Sequence, residues 1–197
     1  MSKIFISSTF RDLIEHRRAV NQAILDSGHQ PIAMENFGSQ PQDATTASRD
    51  EVLHADKFVG IYAHRYGYRP DGGKSVTELE YEAARDADIP CFVFIVEDGY
   101  RVGLLGEHAE TDTESIAMLE DFKARLNTAL VRTTFTTPDM LATKVIASLH
   151  RAMEQPGDNT AAKPSASSSF NIEINGTNFG PIGNIGDNFT QNIDTDT

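Results

Sequence analysis

A chain of 197 residues with 17 basic and 29 acidic side chains, hence a net charge of −12, suits one domain of ordinary size with something added. That acidic balance speaks against nucleic-acid binding through bulk charge, and the longest apolar run, Cys91–Val96, is far shorter than the roughly 18–20 residues of a membrane helix. The only cysteine lies in that run, so an intramolecular disulfide framework is excluded; with no secretory h-region after Met1, a cytoplasmic location is the expectation.

In chain order, Lys3-Ile4-Phe5-Ile6-Ser7 reads as a buried strand. A helix follows it, with Ser8 or Thr9 as the expected cap, apolar residues near a 3.6 period from Leu13 to Ile24, and Gly28 as its stop. A short strand is expected over 30–34 and a helix over 48–55, with Ser48 or Asp50 near its N-terminus. The continuous apolar run 57–63 predicts a third strand, and a Gly-rich loop covers 66–73. The helix expected over 75–88 opens with the capping box Ser75-Val76-Thr77-Glu78. A strand over 90–96, a helix over 113–130, a strand over 131–135 and a helix over 138–153 with Pro138 in its first turn complete the series.

Strands that are apolar throughout, alternating with helices, imply a parallel sheet covered on both faces. The expectation is a doubly wound α/β domain over residues 1–155. Ligands of such sheets bind beyond the carboxyl ends of the strands, which singles out 7–10, 35–37, 64–68 and 97–100. The run Ser7-Ser8-Thr9-Phe10-Arg11 is a cap at least and an anion site at most. On the helix from Ser75, Glu78 belongs to the cap, whereas Glu80 shares its face with the small residues Ala83 and Ala84. A carboxylate on a packed helix face is readied for chemistry by burial; acid enrichment in a first helical turn is the plainer reading. His64-Arg65-Tyr66-Gly67-Tyr68 combines cations, aromatics and a glycine, able to hold a phosphate and stack a base, or to serve only as a surface turn. The six histidines show no metal-ligand spacing, and neither a P-loop, a Gly-x-Ser-x-Gly elbow nor a dinucleotide fingerprint occurs.

Together the segments 4–13, 48–56, 65–67 and 75–81 resemble a family of TIR-like domains of unknown function, whose members often precede NACHT-type or WD-repeat modules. The resemblance covers about residues 3–97 and implies a flavodoxin-like fold, with a more distant similarity to nucleoside deoxyribosyltransferases. It implies Glu80 as the acid that cleaves NAD, with Ser75 as the serine preceding it. Ser7, Ser8, Arg11 and Arg65 would lie by the substrate, and Phe37 or Tyr66 would stack on a ring. NAD is then a substrate, and no cofactor or metal is expected. Val76-Thr77 stands where many TIR domains carry an aromatic-Cys pair. The alternatives are a non-catalytic signalling adaptor and a nucleotide N-glycosidase or deoxyribosyltransferase-like enzyme.

Composition changes at Pro156. Residues 156–169 are small and polar, as in a flexible linker, and 170–197 contain no Arg, Lys, Leu or Val. Gly176-Thr177-Asn178-Phe179 recurs ten residues later as Gly186-Asp187-Asn188-Phe189. With Ile172, Ile174, Ile182, Ile185 and Ile193 around Phe179 and Phe189, and asparagines between them, the tail carries the signature of cross-β stacking; a disordered polar tail is the plainer alternative. It resembles the amyloid-signalling segments of bacterial cell-death effectors, which pair with like segments on NLR-type ATPases. The resemblance implies an immune, antiphage effector that self-associates through its tail, with such an ATPase as a partner; from charge and apolar-run length, neither nucleic-acid binding nor stable membrane insertion is expected.

Overall fold

In the computed structural model, which describes residues 1–33, 44–100, 110–129 and 133–154, strands and helices alternate from end to end. The order is β1 (Lys3–Ser8), α1 (Ile14–Asp26), β2 (Gln30–Ile32), α2 (Ala44–Leu53), β3 (Lys57–Tyr62), α3 (Val76–Asp86), β4 (Cys91–Val96), α4 (Thr113–Ala129), β5 (Thr133–Phe135) and α5 (Pro138–Glu154). Every strand pairing is parallel and the sheet runs β2-β1-β3-β4-β5. This is the flavodoxin-like, doubly wound α/β fold expected, with its switch point between β1 and β3. All described residues fall within one compact unit, Met1–Asn159. The expected linker, 156–169, and tail, 170–197, lie outside the described residues.

Alternation along the strands divides the core into two faces. Ile4 and Ile6 of β1, Val59 and Ile61 of β3, and Phe94 and Val96 of β4 pack with Val20 and Ile24 of α1 and with Leu141, Val145 and Leu149 of α5. On the other face Phe5, Phe58, Tyr62, Val93 and Ile95 pack with Ala83 and Ala84 of α3 and with Leu119, Phe122 and Leu126 of α4. Phe5 stacks on Phe58 at 5.9 Å, and Tyr62 meets Phe122 edge-on at 5.0 Å. Ser7 follows Phe5 on this second face, so its hydroxyl is aimed at α3.

The differences from expectation that bear on the site lie in α1, α2 and β2. α1 begins at Ile14, and Leu13, with no side-chain cap, precedes it. Neither Ser8 nor Thr9 caps it: the Ser8 hydroxyl donates to the Thr9 carbonyl and accepts from Arg17 Nη1 at 2.6 Å. Its far end is as expected, with Gly28 at φ +77° and the His29 amide closing back on the Ile24 carbonyl. α2 starts at Ala44, ahead of Ser48, which sits inside the helix and is fully buried. β2 is three residues long, and Met34, expected within it, lies outside the described residues. No helix among the described residues is long and apolar enough to cross a membrane.

Candidate active site

α3 meets the carboxyl ends of β1 and β3. Ser75 caps it by accepting from the Glu78 amide at 3.3 Å, which fulfils half of the capping box. The Glu78 side chain does not return to the cap. It accepts from the Tyr66 hydroxyl at 2.5 Å and from the half-exposed Arg125 of α4 at 2.5 Å, and this ion pair joins α3 to α4. Its third partner, Lys74 at 3.9 Å, is shared with the half-exposed Glu82.

Glu80 is placed differently. It is 2% exposed, and Ser7 of β1 donates to its Oε2 at 2.6 Å while Ser48 of α2 donates to Oε1. Burial pushes its carboxyl above the ordinary glutamate value, and the Ser48 and Ser7 hydroxyls and the Arg17 charge draw it part of the way back. A carboxylate has about four lone-pair directions, so two remain for a ligand once the serines have taken one on each oxygen.

A cleft of about 420 Å³ opens over this carboxylate, bounded by Ser8, Phe10, Arg11, Arg65, Tyr68 and Glu80 among others. Phe10 and Tyr68 are 54% and 70% exposed, two aromatic rings available at one cleft. Thr9 also lines it, and the Thr9 hydroxyl is buried without a hydrogen-bond partner. The wall formed by the β3–α3 loop approaches β1 closely at Gly67. Its φ is +95°, which favours glycine, and a Cβ there would come within 3.1 Å of the Thr9 methyl and press on it. Arg69 fixes this loop from behind by donating to the Gly72 and Gly73 carbonyls and to Glu114 of α4 at 3.0 Å. The Val76 amide closes it with a bond to the Tyr68 carbonyl at 2.9 Å.

The structure thus brings Glu80, Ser8, Arg11 and Arg65 to one cleft, with Ser7 behind the carboxylate. Tyr66, considered for stacking, is 1% exposed, and its hydroxyl, held by Glu78, is pushed up to about 12 by burial and that acidic partner. It is not among the residues lining the cleft, whereas Tyr68, two residues on, is. Ser75 is buried under the helix end as its cap. Phe37 lies outside the described residues, as do the tail positions Ile172, Ile174, Phe179, Ile182, Ile185, Phe189 and Ile193. Ser48 is the residue that sequence reasoning missed, because a serine ahead of an apolar run reads as a cap. Among the described residues no three His, Cys, Asp or Glu side chains form a group that could hold a metal ion.

No curated protein matches the sequence. Among solved structures the chain is similar to the CMP N-glycosidase of Clostridium botulinum, at 11% identity over 74% of this chain and 98% of that one, with a TM-score of 0.46. A family match runs over residues 3–150, from β1 into α5, and by it the chain belongs to the family described as a domain of unknown function, DUF4062.

Proposed function

We propose that this domain is a TIR-like enzyme that cleaves the N-glycosidic bond of NAD or a related nucleotide, with Glu80 as the carboxylate facing the anomeric carbon. The observation that carries this reading is the buried Glu80 carboxylate, held by one serine on each oxygen and lining an open cleft. Departure of the base leaves positive charge on the sugar ring, which a fixed carboxylate beside C1′ stabilises or captures as an ester. Water then adds to C1′ and completes the hydrolysis. Glu80 is the one acidic side chain among the described residues lining the cleft. That favours a leaving group needing no proton, such as the pyridinium of NAD, which takes the bonding electron pair and leaves neutral.

Arg11 and Arg65 are suited to phosphate oxygens, the Thr9 hydroxyl to a phosphate or sugar hydroxyl, and Phe10 and Tyr68 to a base. Assembly through residues 170–193, alone or with a like segment on an NLR-type ATPase, would raise the local concentration of domains and switch the activity on. The test is to incubate the full-length, assembled protein separately with NAD, CMP and deoxynucleosides and to follow free base by chromatography. Nicotinamide release that Glu80→Gln abolishes supports the reading. A folded, assembled protein that frees no base from any of them leaves the non-catalytic adaptor in its place.

A further inference from the structure

β1 and β3 run side by side with Ser7 opposite Gly60 in the register, so both positions face α3. Tyr62 lies two residues beyond Gly60 on the same face, and its ring turns back over the glycine. A Cβ at position 60 would stand 2.6 Å from the Tyr62 hydroxyl oxygen and 2.9 Å from two ring carbons. Any side chain there would displace the hydroxyl, and the residue paired with Gly60 across the strands is Ser7, whose side chain bears on the Tyr62 hydroxyl. Phe122 fixes the ring from the other side, edge-on. The hydroxyl is nonetheless buried without a hydrogen-bond partner, an arrangement that costs free energy unless a partner is reached in some state of the site.

We propose that Tyr62 is a positioning residue for Glu80, acting through Ser7: its hydroxyl, admitted by the missing side chain at Gly60, orients the hydroxyl that Ser7 donates to the carboxylate. Once the Tyr62 hydroxyl reaches its neighbour, the chain runs from Tyr62 O–H to Ser7 Oγ and from Ser7 O–H to Glu80 Oε2, each donor strengthening the next. Reversing both hydroxyls also serves the protonated acid, with Glu80 donating to Ser7 and Ser7 to Tyr62, but more weakly, because a hydrogen bond to the charged carboxylate is the stronger one. Glu80 is also faced by Ser48 from α2 and Arg17 from α1, while Tyr62 also senses Cys91 of β4 and Tyr81 of α3. Burial chiefly, and the Glu80 charge next, raise the Tyr62 hydroxyl well above its ordinary value, so it keeps its proton throughout the working range.

This inference rests on Glu80 as the reacting carboxylate, but its test reads the carboxyl directly. The full-length protein carrying ¹³C-labelled glutamate is titrated by NMR, with Glu80 assigned from Glu80→Gln. Tyr62→Phe keeps the ring and removes the oxygen, so the Glu80 midpoint should rise by roughly half a pH unit. Ser7→Ala should abolish that difference, because the path runs through Ser7. Fluorotyrosine in place of tyrosine, with a more acidic hydroxyl and nearly the same shape, should move the midpoint the opposite way. That second arm keeps the test alive if Tyr62→Phe folds poorly. Unchanged midpoints in both arms, or a Tyr62→Phe protein of higher Tm with the wild-type midpoint, overturn the proposal and make Tyr62 a core filler. A midpoint that responds as described in a protein that cleaves no nucleotide keeps the relay and refutes the glycosidase reading.

Discussion

Glu78 and Glu80 are two residues apart on one helix and both are buried, yet their carboxylates serve opposite sides of α3. Glu78 is tied to Tyr66 and to Arg125 of α4, whereas Glu80 is held by Ser7 and Ser48 under the cleft. The roughly 200° between positions i and i+2 of a helix produces this separation. Glu80→Gln should therefore lower turnover by about a thousandfold or more with the fold intact.

Glu78→Gln should act the other way round. Its amide oxygen can accept from Tyr66 or Arg125 but no longer balances the arginine charge, so stability should fall by about 1–3 kcal/mol. In a domain of this size that is a drop of several degrees in Tm. Turnover per folded molecule should stay near wild type, measured well below the lowered Tm. Comparable loss of turnover in Glu78→Gln and Glu80→Gln proteins, both folded, would remove Glu80 from its special position.

Arg11, exposed in the turn that follows β1, lines the cleft. A contact to a phosphate far from the bond being broken is made equally in the ground and transition states. Arg11→Ala should accordingly raise KM by about tenfold or more and leave kcat within a factor of a few. Steady-state kinetics over a range of NAD concentrations decide it. A fall in kcat at constant KM would mean that Arg11 acts on the reacting centre.

The sheet and its helices were legible because strands buried on both faces are apolar throughout and the helices between them are periodic. Glu80 was legible as well, since its neighbours Ala83 and Ala84 mark the packed face of α3. The serines that hold it were less so. Ser7 closes an apolar strand and Ser48 precedes an apolar run, so local pattern assigns the one to a strand end and the other to a helix end, while their actual partner is 73 and 32 residues away, respectively. The choice between Tyr66 and Tyr68 was beyond the sequence for the same kind of reason. Which tyrosine faces the cleft is set by Arg69 reaching Glu114 on α4, and by the Glu78–Arg125 pair that draws Tyr66 inward.

The tail carries a prediction of its own from its repeats. If residues 170–193 stack with copies of themselves, each Ile and Phe forms a dry column along the stack and a charge in such a column repeats at every layer. Ile182→Asp with Ile185→Asp should abolish fibre formation, seen by electron microscopy and thioflavin binding, and with it any activity that depends on clustering. The linker from 157 to 169, thirteen residues by sequence, spans roughly 20 Å as a flexible coil, enough for bulky domains to hang around a stack. Removal of the tail should leave a folded, inactive domain. A tail peptide that stays monomeric at high concentration, together with a fully active truncated domain, would reject the idea.

The raised titration of Glu80 makes stability depend on pH in a definite direction. Its ordinary value is 4.5 and its value in the fold is higher, because burial outweighs the two serine hydroxyls and Arg17. Below 4.5 the carboxyl is protonated in the folded and the unfolded chain alike, so burial carries no charge penalty. Between 4.5 and the folded value the native protein keeps a proton that the unfolded chain has released, and stability falls as the pH rises. Above the folded value the penalty is complete and constant. Glu80→Gln has nothing to titrate, and its amide can accept from one serine and donate to the other. The Tm of Glu80→Gln minus that of wild type should therefore be small near pH 4 and grow by a few degrees by pH 8. Differential scanning fluorimetry of the two proteins over that range measures it directly. A difference independent of pH would mean that the carboxyl pays nothing for its burial, and a difference that shrinks toward pH 8 would mean that its partners overcompensate. The predicted sign is that of a protein giving up stability to keep a charge beneath an open cleft, a trade that a purely structural carboxylate has no reason to make.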